Sequence, residues 1–168
     1  MYGTIIAELR SFYAKHDAED LWEESIGASI EQNRIYNDSV FKNLVHLLAI
    51  RLNKEPKQIL QSFGEFITPY LLRLFPINMD RDIIELLANV ETEVEPFGNE
   101  MQLVDTSPFN VKRVNGSKVE MLYKSRRNMP ELRKGIILGL ARHMDQHVEV
   151  NIDRINDNET LISVRALS

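Results

Sequence analysis

The amino-acid sequence predicts an α+β fold in which helices come first and an antiparallel sheet follows. Apolar residues in the first 95 positions recur with the period of a helix, whereas after Pro96 they alternate with polar residues. Asn115-Gly116, flanked by alternating residues on both sides, is a strong hairpin signal. Because 168 residues suffice for one domain, we predict a single domain over residues 1–168, with a helical lobe (1–95) and a lobe of sheet plus one helix (96–168).

Five helices are predicted in the helical lobe. The first two carry apolar faces over 5–13 and 21–26. The Asn-Asp-Ser run at 37–39 offers N-caps for the third, and Pro56 suits the first turn of the fourth. Asp80 is the candidate cap of the fifth, which is predicted to continue to about residue 94.

The second lobe is predicted to hold two hairpins with a helix between them. The first hairpin surrounds Asn115-Gly116, and the helix runs from 130 to about 147. Alternating residues over 148–155 and 160–166 form the second hairpin. Runs of helices followed by strands are typical of α+β domains.

Composition excludes several classes of protein. The chain has no cysteine, which removes disulfide frameworks, thiol catalysis and cysteine-bound metal clusters and favours a cytoplasmic setting. Its formal charge of −5 argues against nucleic-acid binding by charge alone. The first ten residues lack the pattern of a signal peptide, and no segment is apolar enough for membrane insertion.

Two groups of polar residues are candidates for metal or catalytic sites, but a simpler interpretation is favoured for each. His143 and His147 lie four apart on a predicted helix with Asp145 between them, a spacing that also suits one metal ion in a metal-dependent enzyme. A polar helix end is the favoured interpretation, so no metal site is predicted. The glutamates between 91 and 100 are interpreted as a solvated face. We expect a binding protein and not an enzyme.

Tyr123, Ser125 and Arg127 form the most informative motif. The motif closes a predicted strand, and alternation along that strand brings two hydroxyls and a guanidinium to one side. Such a group binds a carboxylate or phosphate. A basic strand end that faces solvent is the alternative.

The order of motifs resembles that of the haem nitric oxide/oxygen binding (H-NOX) domain, a sensor family shared by bacterial signalling proteins and soluble guanylate cyclase. The resemblance covers nearly the whole chain. It rests on Met1-Tyr-Gly3-Thr-Ile5, Pro56-x-x-x-Leu60-x-x-Phe63-Gly64, Ser107-Pro108, Tyr123-x-Ser125-x-Arg127 and Gly135-Ile136.

The resemblance implies that Tyr123, Ser125 and Arg127 bind haem propionates and that a helix before the sheet provides a histidine for the iron. Glu91 takes the place of that histidine, and no histidine occurs between His46 and His143. On helical geometry Glu91 falls within the apolar arc of its predicted helix, unless the helix rolls and brings it to the rim. Carboxylate is a poor substitute for imidazole on haem iron.

The resemblance further places Ile5, Leu9, Leu132 and Ile136 on the pocket walls. Two alternatives remain for what the pocket holds. Either haem b is held by unusual ligation, or the pocket is degenerate and is empty or holds another apolar ligand with an acidic group. Since Leu132 stands where oxygen-binding members have a tyrosine, nitric oxide or carbon monoxide is the expected gas if haem binds. The implied partner is a histidine kinase, a diguanylate cyclase or a chemoreceptor.

Overall fold

The computed structural model describes residues 1–26, 30–75, 77–90, 110–125 and 127–167, and it confirms the predicted α+β fold. The helices are α1 (Gly3–Lys15), α2 (Glu19–Ile26), α3 (Asp38–Arg51), α4 (Pro56–Leu74), α5 (Ile83–Ala88) and α6 (Pro130–His143). The strands are β1 (Asn110–Asn115), β2 (Lys118–Lys124), β3 (Val148–Arg154) and β4 (Glu159–Ala166). The predicted end of the fifth helix near residue 94 lies outside the described residues.

Side chains of the predicted type begin two of the helices. The Asn37 side chain accepts a hydrogen bond from the N–H of Ser39 at 3.0 Å and caps α3. Asp82 caps α5, because its carboxylate accepts from the N–H of Glu85 at 2.9 Å. The prediction that Asp80 caps this helix was therefore wrong by two positions.

Left-handed residues other than glycine end three of the helices. Asp17, Asn53 and Asp145 have φ angles of 53°, 51° and 54° and follow α1, α3 and α6. After α6, the N–H of Gln146 donates to the carbonyl of Ala141 at 2.9 Å in a Schellman arrangement. This turn stops α6 at residue 143, four residues before the predicted end.

Both predicted hairpins are present, and together they form one antiparallel sheet in the order β1-β2-β4-β3. In the first hairpin the two turn residues are Gly116 and Ser117. The Asn115 side chain accepts from the N–H of Ser117 at 2.9 Å, so this asparagine closes the turn.

Two hydrophobic cores meet along α6. The helical core is built mainly from α1, α3 and α4, and Leu132 and Ile136 of α6 pack against it. The sheet core contains α5, the inner face of the sheet, and Ile137, Leu140 and Ala141 of α6. Although α5 precedes residue 95, it therefore packs with the sheet; the lobe boundary itself, at 95, lies outside the described residues.

Backbones of α4 and α6 come into direct contact at what we call the glycine crossing, formed by Gly64, Gly135 and Gly139. A Cβ atom on Gly135 would lie 2.0 Å from the carbonyl oxygen of Gln61 and 2.9 Å from the Cα of Gly64. Only glycine permits so close an approach. The crossing fixes α6 against α4 and so determines where the two cores meet.

Candidate functional site

A cavity of about 80 Å³ lies where α1, α4, α6 and β2 meet. Three of its described lining residues are polar or charged: Tyr123, Arg127 and Arg133. The others are apolar, namely Met1, Ile5, Phe63, Ile67, Leu71, Met129, Leu132 and Ile136. Pockets that enclose drug-sized ligands have volumes of roughly 300–1,000 Å³, so this chamber suits a few waters, a small molecule or the end of a larger one.

Three of the four residues predicted as pocket walls line this cavity. Ile5 comes from α1, and Leu132 and Ile136 come from α6. Leu9 is buried in the helical core, one turn further along α1, and is not a lining residue. The α1 side of the cavity is instead formed by Ile5 and the preceding Met1.

The Tyr-x-Ser-x-Arg motif reaches the cavity by a turn and not by a continuous strand. Tyr123 lies near the end of β2 and lines the cavity, while Ser125 is buried just beyond the strand. The N–H of Arg127 donates to Ser125 Oγ at 3.1 Å, and the N–H of Asn128 donates to the Ser125 carbonyl at 3.3 Å. Simple alternation through Arg127 was therefore a wrong prediction, because strand pairing stops at Lys124.

Arg154 holds this turn in place from the edge strand β3, on the far side of β4. Its guanidinium donates to the side chains of Asn128 at 2.6 Å and Glu131 at 2.9 Å. Asn128 has a φ of 50°, so the turn depends on a residue in the left-handed region. Arg154 thus ties the end of the motif to both the sheet and the start of α6.

Asp38, the first residue of α3, orients Arg127 at the cavity. Its Oδ2 lies 3.0 Å from Arg127 Nε, while its Oδ1 accepts from the amino group of Met1 at 2.6 Å. Burial raises the pKa of the Asp38 carboxyl, but the hydrogen bond from Met1 and the charge of Arg127 outweigh it, so the pKa lies below its ordinary value. Pairing through Nε uses one of the five N–H donors of the guanidinium, so Arg127 is suited to bind a second anion.

Arg133 covers the ring of Tyr123. Together with Arg127, these two residues form the polar part of the lining, which we call the polar wall. Its guanidinium lies 4.7 Å from the ring centroid, within cation–π range. Sequence reasoning missed Arg133, and it identified Asp38 only as a cap candidate. No local pattern reveals either role, since Asp38 and Arg127 are 89 positions apart and Arg133 is one of several basic residues on its helix.

The histidines lie elsewhere. All four are among the described residues, and none lines the cavity. His143 ends α6 and His147 precedes β3, so the prediction that they share a helix was wrong; the Schellman turn separates them. Within the described ranges, no group of three potential metal ligands occurs. In the same ranges, no helix is long and apolar enough to cross a membrane.

Glu91 and the rest of the acidic run to residue 100 lie outside the described residues. The position of Glu91 relative to the cavity therefore stays a prediction.

The described residues fit one end of a haem but not the other. Two guanidiniums and a tyrosine among the lining residues suit carboxylates such as propionates. Haem iron, by contrast, is commonly held by histidine or cysteine. The chain has no cysteine, and none of its four histidines lines the cavity, so the described lining offers no thiolate or imidazole to a haem iron.

Comparisons with known proteins agree with this fold. The family model for Haem-NO-binding proteins matches residues 2–152. An H-NOX protein from S. oneidensis in the Fe(II)NO state is 17% identical, with a TM-score of 0.89 and full coverage of both chains. Unliganded Fe(II) H-NOX from K. algicida is 18% identical, with a TM-score of 0.89, and 100% of this chain and 97% of that one are covered.

An I5F mutant of T. tengcongensis H-NOX is 17% identical, with a TM-score of 0.79 over 99% of this chain and 95% of the other. At such identities the structural likeness shows the fold alone. The comparison with curated proteins gives no match. Because the family model spans most of the sequence, the chain belongs to the Haem-NO-binding (H-NOX) family.

Proposed function

We propose that this H-NOX domain is a sensor whose cavity binds an apolar ligand through an acidic group and reports its occupancy to a partner signalling protein. The H-NOX fold is that of haem-based gas sensors. The proposal keeps the sensor role of the family, but the ligand is held through its acidic group and not through an iron–histidine bond.

One observation carries the proposal: Tyr123 and Arg127 line the same cavity as Ile5, Leu132 and Ile136. A ligand there meets an apolar chamber and a cationic wall together, which is the combination that an amphiphilic acid requires. Asp38 holds Arg127 at that wall from α3, at 3.0 Å. A solvent-facing strand end, the alternative interpretation of the motif, does not account for the buried Tyr123 and Ser125.

We propose that α6 transmits the signal that a ligand occupies the cavity. Its Leu132 and Ile136 line the cavity, while Ile137 and Leu140 on the same helix pack in the sheet core. A ligand that shifts α6 therefore also acts on the sheet. By family resemblance, the partner that senses this shift is a histidine kinase, a diguanylate cyclase or a chemoreceptor.

Haem is the ligand of the family, and in this chain we propose that it binds weakly. Glu91 stands in the sequence where the family has its iron-ligating histidine, and carboxylate is a harder and weaker donor to ferrous iron than imidazole. The four histidines lie outside the cavity lining. Signalling by nitric oxide or carbon monoxide through a haem would thus require unusual ligation.

Titration with haemin tests this proposal. The unmodified protein is compared with Glu91→His, which supplies the family's imidazole, and with Glu91→Gln, which removes the charge alone. We expect weak binding by the unmodified protein and by Glu91→Gln. Glu91→His should bind tightly, with the absorption spectrum of a five-coordinate histidine-ligated haem that takes up carbon monoxide.

Two results would contradict the proposal. Tight binding by both the unmodified protein and Glu91→Gln would mean that another residue ligates the iron and that the domain is a haem sensor after all. No gain in Glu91→His, in a variant that remains folded by circular dichroism, would mean that residue 91 does not face the pocket.

A further inference from the structure

The turn of the first hairpin contains the only asparagine in the sequence that is followed by a glycine. Asn115 ends β1 and pairs with Lys118, so Gly116 and Ser117 form the turn between the two strands. Asn115, Gly116 and Ser117 are all exposed. The residues that give the strongest hairpin signal in the sequence therefore lie in contact with solvent.

An asparagine side chain can react with the backbone nitrogen of the residue that follows it. The nitrogen attacks the side-chain carbonyl carbon and closes a succinimide ring, while its proton leaves with the side-chain amide nitrogen as ammonia. Water then opens the ring at one of its two carbonyl groups. The product is either aspartate or isoaspartate, in which the main chain continues through the side-chain carbons and is longer by one carbon.

Two features of this turn favour that reaction at Asn115. Gly116 places no side chain beside the attacking nitrogen, which leaves the approach to the asparagine unhindered. Asn115 Oδ1 accepts hydrogen bonds from the N–H of Ser117 at 2.9 Å and from its hydroxyl at 3.0 Å. These donors polarise the side-chain carbonyl and stabilise the negative charge that develops on its oxygen during the attack.

We propose that Asn115 is a site of spontaneous deamidation and that its isoaspartate product loosens β1 from the sheet. The proposal is independent of the ligand proposed above. β1 lies at an edge of the sheet, pairs with β2 and has a largely exposed surface. Because isoaspartate lengthens the main chain inside the hairpin, the pairing of residue 115 with Lys118 no longer fits the turn. Aspartate keeps the oxygen that accepts from Ser117, so this product should leave the hairpin intact.

Incubation of the whole chain at mildly alkaline pH, followed by peptide mass spectrometry, tests the reaction. An isoaspartate-specific carboxyl methyltransferase identifies the isoaspartate among the products. Asn156 in the second hairpin is an internal control, because its Oδ1 also accepts two hydrogen bonds, from the N–H groups of Asn158 and Glu159. Asn156 precedes Asp157 and not a glycine, so we expect Asn115 to react at least about tenfold faster.

Two variants separate the reaction from its consequence. Gly116→Ala adds a methyl group where no atom lies within 4 Å, so it should slow the reaction at Asn115 at least about tenfold and keep the hairpin folded. Asn115→Asp represents the harmless product. Hydrogen exchange in β1 should be unchanged in Asn115→Asp and faster in aged, unmodified protein that contains isoaspartate.

Three results would overturn the proposal. Equal rates at Asn115 and Asn156 would mean that the first turn does not favour the reaction. An unchanged rate in Gly116→Ala would mean that the missing side chain at residue 116 is not its cause. Unchanged hydrogen exchange of β1 in protein that contains isoaspartate would mean that the hairpin tolerates the longer main chain.

Discussion

Two neighbouring parts of one helix pair differ sharply in how closely their backbones approach. At the glycine crossing, the Cα atoms of Gly64 and Gly135 are so close that a methyl group has no room. On the cavity side, Phe63 and Ile67 of α4 and Leu132 and Ile136 of α6 leave a chamber of about 80 Å³ between them.

This difference separates stability from binding. Tightly packed backbones tolerate no added volume, whereas a cavity forgoes packing energy that a ligand restores. We therefore expect changes at the glycine crossing to alter the free energy of unfolding, and changes at the polar wall of the cavity to alter mainly ligand affinity. The predictions below test this division.

Gly135→Ala should have the largest effect. Its Cβ would lie 2.0 Å from the Gln61 carbonyl oxygen, which belongs to the backbone and cannot rotate away. The helices must separate, and we expect a loss of about 3 kcal/mol or more in the free energy of unfolding, measured by urea denaturation.

Gly116→Ala is the matched control, because no atom lies within 4 Å of the position that its added Cβ would take and its turn is exposed. A change of about 0.5 kcal/mol or less is expected there. Similar losses in the two variants would show that the glycine crossing is not a site of tight packing.

Gly139→Ala should cost less than Gly135→Ala. The nearest atom to its Cβ is Thr68 Oγ1 at 2.3 Å, which belongs to a side chain. We expect a loss of about 1–2 kcal/mol. Thr68→Ala removes this shortest contact and leaves the Cβ of residue 68 at 2.9 Å, so a double-mutant cycle should give a favourable coupling of about 1 kcal/mol between the two substitutions. If the losses of the two single variants simply add, the strain in Gly139→Ala does not come from contact with Thr68.

Asp38→Asn tests the support of the polar wall and should have the smallest effect on stability. The pair with Arg127 is partly exposed, so we expect a loss of about 1 kcal/mol at pH 7. Because the pKa of Asp38 is lowered from 3.8 in the folded chain, its contribution is full above that value and is lost as the pH falls through the folded pKa.

The difference in the free energy of unfolding between Asp38→Asn and the unmodified protein should therefore decrease at acidic pH, as measured by denaturation at several pH values. Asp153→Asn, an exposed position on β3, serves as the control and should show little effect. A difference that persists unchanged well below pH 3.8 would mean that Asp38 acts through packing and not through its charge.

The sequence predicted the elements whose signals are local. Helical and alternating periods identified the helices and both hairpins, and Asn37 was correctly placed among the cap candidates. It missed the helix ends at Asp17, Asn53 and Asp145, because left-handed residues other than glycine carry no distinct local pattern.

Some residues predicted for the site line the cavity, but the way in which the cavity is built was not predicted. Tyr123 and Arg127 were identified, yet the turn between them and the support from Asp38 depend on contacts distant in sequence. Gly64 and Gly135 were both recognised as parts of motifs, but only the fold brings their backbones together. Tertiary contacts of this kind leave no periodic signal.

Binding of metal-free protoporphyrin IX tests the central claim most directly, because this molecule carries two propionates and no iron. Without iron, no axial ligand contributes to its affinity, so its propionates report on the polar wall of the cavity whatever residue 91 does. We predict that Arg127→Ala binds it at least about tenfold more weakly than the unmodified protein in a fluorescence titration. Arg142, which pairs with Glu65 at the surface and lies away from the cavity lining, is the control, and Arg142→Ala should bind it as well as the unmodified protein does. Equal affinities of Arg127→Ala and Arg142→Ala would contradict the claim that this cavity holds its ligand by an acidic group.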